Sequence, residues 1–427
     1  MTESIIPTNV GIFTHSSRGL LTRAYRKGVL KALSGIREGK IILIDGDQLH
    51  QFGEMTDRFP IQARVTAQHP LFYKQVLLGG GIGASEAYMS GYWQTDNLTS
   101  LVRIILRNRM VMEHVDGSWA KLTEPLHRWV HFLRRNTRRG SRENIAAHYD
   151  LGNDFYEVFL NPTMTYSSGI FESANSTLEE ASLAKYDRIC RKLDLTPDDH
   201  VIEIGSGWGG FAIYAAKHYG CWITTTTISK KQYALARQRI REAGLSERIE
   251  ILLQDYRDLT GEYDKLVSIE MIEAVGHQFY DTFFRACSRL LKPDGLAAIK
   301  AITIADHAFD QHKRSVDFIK RYIFPGSCIP SVTALNQSAA KVSDLRLFHL
   351  EDITPHYAET LRNWRRNFEN NLDRVRKLGY PETFIRMWKF YLHYCEAGFE
   401  ERYIGDVQMV FSKPQNRRAP ILPVLKT

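Results

Sequence analysis

The sequence predicts an α/β protein built on a doubly wound, mostly parallel sheet, with a smaller α+β domain in front of it. Three observations carry this. Apolar, β-rich runs recur at HVIEIGSG, CWITTTTIS, RIEILLQDY, YDKLVSIEM and GLAAIKAITI. Segments of helical pattern fill the gaps, as in KKQYALARQRIREAG and YDTFFRACSRLLKPDG. The first run leads into glycines at alternate positions, IEIGSGWGGF, from Ile202 to Phe211. Strand–helix alternation of this kind is the pattern of parallel strands joined by crossover helices. A glycine turn between strand and helix brings backbone N–H groups close to a nucleotide.

The chain has 427 residues, 44% of them hydrophobic, which suits two or three domains with buried cores. The first region, 1–115, is expected to be a lipid- or membrane-associated domain. Within it, Arg18 to Gly35 reads as a helix with a basic and an apolar face. KIILIDGD and ARVTAQH read as short strands. LLGGGIGASEAYMSGYWQTDNLTSLVRIILRN reads as a glycine-rich bend leading into helical pattern. A connector, 116–142, ends in the strongly basic HRWVHFLRRNTRRGSRE, with Trp129 and Phe132 embedded. It is either a solvated linker or a patch that touches phosphates while its aromatics meet a lipid or base surface. The third region, 143–415, carries the strand–helix alternation. A long, helical, aromatic segment interrupts it from about 306 to 400, and DVQMVFSK reads as the last strand. An insertion there is a natural lid over a substrate.

Charged residues make up 24%, an ordinary share for a soluble protein. No apolar run is long enough to span a bilayer. The opening MTESIIPTNV lacks a basic stretch followed by an apolar one, so no signal peptide is expected. The five cysteines (Cys190, Cys221, Cys287, Cys328, Cys395) are scattered and form no CxxC pair. Neither a disulfide framework nor a metal site is indicated, and a reducing cytoplasm fits. The net charge of +8 points to an acidic partner: nucleic acid, an anionic membrane surface or an anionic small molecule. Added solubility is the plainer alternative.

A dinucleotide site places an acidic residue about 20 residues past the glycines. Here the second strand ends in TTTTIS, and the acid instead precedes the glycines, at Glu203 of E-x-G-x-G-x-G-G. That pattern resembles the class I S-adenosylmethionine (SAM) methyltransferases more than NAD enzymes. Bare glycines there let the backbone approach a methionine carboxylate or a ribose. Asp255 and Tyr256 end the third strand pattern and suit adenine, one as acceptor and one as a stacking ring. The alternative is that Glu203 and Asp255 are ordinary strand-end polar residues.

ENIAAHYDLGNDFYEVFL, MTYSSGIF, ISKKQ, SIEMIEAVGH, RYIFPGSCIPS and PHYAETLRNW follow one another in this order. Together they resemble the cyclopropane-fatty-acid synthase family, which includes the mycolic acid cyclopropane synthases. The resemblance covers the catalytic region nearly end to end. The N-terminal region, at GASEAYMSGYW, is similar to the longer bacterial members that act on whole phospholipids. The resemblance implies a Rossmann-like class I methyltransferase domain with a helical lid, and SAM as cofactor. It also implies transfer of a methyl(ene) group to the double bond of an unsaturated phospholipid acyl chain, giving a cyclopropane. A π bond is a weak nucleophile, and its attack leaves a carbocation in the chain. Loss of a proton from the added methyl then closes the ring. Such a site must be dry, apolar and rich in π-faces, with a base close by. In the family that base is taken to be bicarbonate, held by a Cys, a Glu, a His, a backbone amide and a Tyr.

Carried over position by position, the resemblance assigns Tyr166 and Ser167 to the SAM pocket. It assigns SAM contacts to Gly205, Gly207, Thr227, Gln232, Asp255 and Tyr256, the last commonly Trp in the family. Glu273, Ile302 and Tyr357 match the family glutamate, backbone donor and tyrosine. The family cysteine is Ser168 here and the family histidine is Lys300. A family glycine is Glu270, and a histidine that often follows Glu273 is Ala274. Two readings follow. Ser168 and Lys300 still hold bicarbonate and a ring forms, or Lys300 or another group removes a different proton and a branched, methylene or furan-precursor chain results. Lys300 as a mere buried ion pair with Glu270 or Glu273 is a third.

A substrate in a membrane requires the enzyme to come to the bilayer. A basic surface attracts anionic head groups at roughly 1 kcal/mol per Lys or Arg. The run 128–142 is then a docking surface, and the amphipathic 18–35 pattern adds a helix face. Peripheral association with the inner membrane face of a cytoplasmic enzyme follows. A homodimer is admitted, since longer family members are commonly dimers. A nucleic-acid methyltransferase would show NPPY-like residues after the adenine strand. SIEMIEAVGH stands there instead, so no nucleic acid is expected. A non-enzymatic lipid binder with a relict SAM site is the remaining alternative, and the intact SAM pocket speaks against it.

Overall fold

The structure is a computed structural model that describes residues 19–109 and 151–422. The 116–142 connector and its basic run lie outside these residues. Among the described residues two sheets form. The N-terminal one holds β1 (Lys40–Asp45), β2 (Gln48–Phe52), β3 (Gln62–Ala67) and β4 (Trp93–Thr95), in the order β2-β1-β3-β4. β1 pairs parallel with β3 and antiparallel with β2. β2 was not expected, although the Asp45–Gly46 step between two extended runs is a hairpin signal, and Gly46 turns at φ +60.

The glycine-rich stretch bends as expected: within Leu71–Met89 two helical segments meet at a break at Gly80, where φ is +53 and ψ −136. The kink brings the chain so close to itself that a Cβ at Gly83 would stand 2.0 Å from the Gln75 carbonyl oxygen. The amphipathic helix runs Leu20–Leu33. Its inner side is not free for a membrane, because Val29 is buried and Gly28 lies against Leu77. Leu20 and Leu21 remain exposed.

The larger sheet has seven strands in the order β10-β11-β9-β8-β5-β6-β7. β5 (His200–Ile204) lies between β6 (Trp222–Thr227) and β8 (Tyr263–Ile269), parallel to both. β7 (Ile249–Leu253) and β9 (Leu291–Ile304) continue the parallel set. β11 (Ile404–Ser412) inserts antiparallel between β9 and β10 (Arg346–Asp352). This is the expected α/β class. From β5 the chain winds first to one side, through β6 and β7, and then to the other, through β8 and β9. Ligands of such sheets bind where that reversal opens a crevice at the strands' carboxyl ends.

The segment from 306 to 400 is helical except for β10, which the sequence reading did not separate out. Its helices Thr354–Asn370 and Glu382–Glu400 build an aromatic core around Phe155, whose ring meets Phe368, Phe384 and Trp388. The N-terminal region packs on the same helices. Arg103 pairs with Glu401 at 2.6 Å, and the Arg386 guanidinium lies 4.2 Å from the centre of the Tyr88 ring.

Candidate active site

The glycine turn leaves β5 and enters the helix Gly210–Tyr219. Gly205, Gly207 and Gly209 have φ of +98, +49 and +84, the left-handed region that side chains disfavour. The Gly205 and Ser206 amides donate to the Thr226 carbonyl, tying the turn to β6. A Cβ added at Gly207 would meet nothing within 4 Å, so that backbone is presented bare. Trp208, inside the turn, donates from Nε1 to Asn153 at 2.8 Å. Arg239 donates to the Trp208 carbonyl at 2.7 Å and fixes the turn from behind.

All nine residues assigned to SAM line one cavity of about 670 Å³: Tyr166, Ser167, Glu203, Gly205, Gly207, Thr227, Gln232, Asp255 and Tyr256. Thr227 donates to Gln232 at 2.9 Å and accepts from the Ser229 amide, which sets the loop after β6. The Asp255 carboxylate is gripped by Arg257, Nη2 to Oδ2 at 2.6 Å. Sequence reasoning missed Arg257, although it stands two residues on in DYRD. Glu203 is buried and accepts from Thr225 Oγ1 at 2.5 Å. Burial pushes its carboxyl up to about 7, with Thr225 and Lys185 pulling the other way. Lys185 was also missed. It is fully buried, donates to Ser167 Oγ at 2.5 Å, and burial together with Lys300 pushes it down to about 7.

Beside this pocket stands a cluster of carboxylates. Glu273 Oε1 accepts from the Ile302 amide, while its buried Oε2 has no partner among the described residues. Burial, and then repulsion from Glu270, push Glu273 up to about 8. Glu270 accepts from the Ser168 amide at 2.9 Å, from Tyr357 Oη at 2.6 Å and from Lys300 Nζ. Lys300 also donates to both oxygens of Asp406, at 2.9 and 2.8 Å, and Ser168 Oγ donates to Asp406. Burial opposes the Lys300 charge, but Asp406 and Glu270 outweigh it and raise its pKa. Glu270, Glu273, Ile302 and Tyr357 line the cavity, and Ser168 and Lys300 sit behind Glu270 instead. Lys300 therefore pairs with Glu270, as one reading had it, and with Asp406 rather than Glu273. Asp406 went unforeseen. Its signal was a charged residue inside each of two neighbouring apolar strands, Lys300 in β9 and Asp406 in β11.

The cavity is chemically suited to SAM: bare backbone at Gly207, buried acids, and an acceptor and ring at Asp255 and Tyr256. The donors assigned to bicarbonate do not fit a second anion. The Ser168 amide, Tyr357 Oη and Lys300 donate to Glu270, and the Ile302 amide to Glu273.

A family model described as mycolic acid cyclopropane synthetase matches residues 136–409. A tuberculostearic acid methyltransferase of Mycobacterium tuberculosis is 40% identical over 77% of this chain and 78% of its own. A cyclopropane-fatty-acyl-phospholipid synthase of Escherichia coli K12 is 36% identical over 82% of this chain and 88% of its own. Among solved structures, a mycolic acid cyclopropane synthase complexed with SAH and CTAB superposes with a TM-score of 0.60 at 32% identity, covering 64% of this chain and 98% of that one. The chain belongs to the mycolic acid cyclopropane synthetase family and is a SAM-dependent methyltransferase.

Proposed function

We propose that the protein methylates the double bond of an unsaturated acyl chain carried by a membrane phospholipid. One observation carries this reading. The cavity that holds the SAM loop and the carboxylates continues into the N-terminal region, where Val29, Leu43, Val65, Phe72, Trp93 and Leu101 line it. A long apolar channel ending at a cofactor pocket suits an acyl chain. When bound, SAM supplies an activated methyl group. The chain's residues do the rest. Tyr166 and Phe324 present π-faces to the cavity with ring centres 6.4 Å apart, and the buried Trp364 backs Tyr166 at 5.2 Å. Tyr166 and Tyr391 share a hydrogen bond at 2.8 Å, so each hydroxyl has a partner in the wall. Such faces stabilise a carbocation in the chain.

A cyclopropane is the product named for the Escherichia coli relative. A branched product without a ring is the second reading, and the occupied donors around Glu270 favour it. On either reading the enzyme works at the membrane surface from the cytoplasmic side. No helix among the described residues is long and apolar enough to cross a membrane. Docking is assigned to the basic 128–142 run, and 1–115 to holding lipid.

The test is mass spectrometry of phospholipid acyl chains after incubation with labelled SAM and vesicles containing mono- and doubly unsaturated lipids. A gain of one CH2 is expected. From the mono-unsaturated chains, a product that resists mild hydrogenation is a ring, and one that takes up hydrogen is a branched alkene. Absence of label in lipid would sink both readings.

A further inference from the structure

The family glycine that is Glu270 here sits at φ +49. A side chain held in the left-handed region at the wall of an active site signals a role that outweighs its strain. Its carboxylate is the focus of the cluster. The Ser168 amide, Tyr357 Oη and Lys300 Nζ converge on it, and Asp406 holds Lys300 and Ser168 in place from behind. These are donors that the family resemblance assigns to a free anion. The anion they hold here is part of the chain.

We propose that Glu270 is the proton acceptor of this enzyme, a built-in carboxylate that makes bicarbonate unnecessary. The proposal rests on methyl transfer to an unsaturated acyl chain. After that transfer the chain carries a carbocation. A C–H bond next to it, or on the added methyl, breaks. Its electron pair forms the new C=C bond or closes the ring, and the proton passes to Glu270. The acid so formed returns its proton to water when the product leaves. A proton beside a carbocation is strongly acidic, so fixed position matters more than base strength. Glu273 is the poorer candidate, since burial keeps its carboxyl protonated up to about 8.

The experiment compares wild type, Glu270→Gln and Glu270→Gly in carbon-dioxide-free buffer, with and without added bicarbonate. Labelled SAM and vesicles of mono-unsaturated phosphatidylglycerol serve as substrates, and SAH titration checks the cofactor pocket. Wild type is expected to turn over equally with and without bicarbonate. Glu270→Gln is expected to lose about 100-fold or more in rate while still binding SAH. Glu270→Gly is expected to be as slow, and to recover when bicarbonate fills the space among the freed donors. A wild-type rate that collapses without bicarbonate would overturn the proposal, as would a Glu270→Gln rate within a few-fold of wild type. Should Glu270→Gln fail to fold, the bicarbonate response of wild type still decides. Wild type that binds SAH but labels no lipid would overturn the proposed function, and this inference with it.

Discussion

Replacing Lys300 with methionine is expected to destabilise the protein by about 3–5 kcal/mol. The ammonium is completely buried and is shared between Glu270 and Asp406. Removing it leaves the fully buried Asp406 carboxylate, held by Ser168 Oγ, beside Glu270, which keeps the Ser168 amide and Tyr357. Breaking a buried pair from one side costs far more than the pair contributes, because the surviving charge stays uncompensated. Burial has already pushed Asp406 up to about 6 against the pull of Lys300. Without the cation that carboxyl is expected to take up a proton, so the loss is greater at pH 8 than at pH 5. Urea denaturation at both pH values measures this. The double variant Lys300→Met with Asp406→Asn is expected to recover part of the loss, since asparagine carries no charge and still accepts from Ser168 Oγ. A loss under about 1 kcal/mol for the single variant would show that the cluster has access to water and is not the sealed network the burial implies.

Much of this cluster was legible in the sequence, but its wiring was not. Lys300 and Glu270 stood out as departures at positions where the family motifs expect other residues. Each sits in a segment whose strand is fixed by its apolar run. The partner Asp406 lies 106 residues from Lys300 in the chain. Only the antiparallel insertion of β11 beside β9 brings the two together. Strand order is a tertiary choice that a run of valines and methionines does not encode locally. The SAM pocket was easier. Its glycines need positive φ, Glu203 lies in β5 just before them and Asp255 follows β7, so the local pattern picks out residues that line one cavity. The glycine-rich stretch around Gly80 is legible in the same way: local propensity argues for a bend, and the helical segments within Leu71–Met89 break at Gly80. Lys185 carried no signal at all, because a lysine in a helical pattern is ordinarily a solvated one.

The titration of two buried carboxyls is expected to cost stability as pH rises from about 4.5 to 8. Glu203 and Glu273 are both buried, and burial moves their carboxyls up to about 7 and about 8. The unfolded chain releases these protons near pH 4.3. Through that window the native state therefore holds more protons than the unfolded one, and raising the pH favours unfolding. Each tenfold change in proton affinity is worth about 1.4 kcal/mol, so the two groups together oppose folding at pH 8 by about 8 kcal/mol as an upper bound. Lys185 acts in the opposite direction above about 7, Lys192 above about 8, and His200, His349 and His356, lowered by burial, below the ordinary histidine value. The variant Glu273→Gln isolates one contribution. The amide copies the protonated carboxyl, keeps an acceptor for the Ile302 amide and cannot ionise. Its stability relative to wild type is expected to rise by about 2–4 kcal/mol between pH 5 and pH 8, as read by urea denaturation without cofactor. A difference that stays flat across that range would mean that Glu273 is ionised in the native protein. The same protons tie stability to function. The sulfonium of SAM favours ionised acids in the cavity, so SAM binding is expected to tighten through neutral pH relative to SAH, which lacks that charge. A fold that relaxes as those acids ionise is then steadied by the cofactor that needs them ionised.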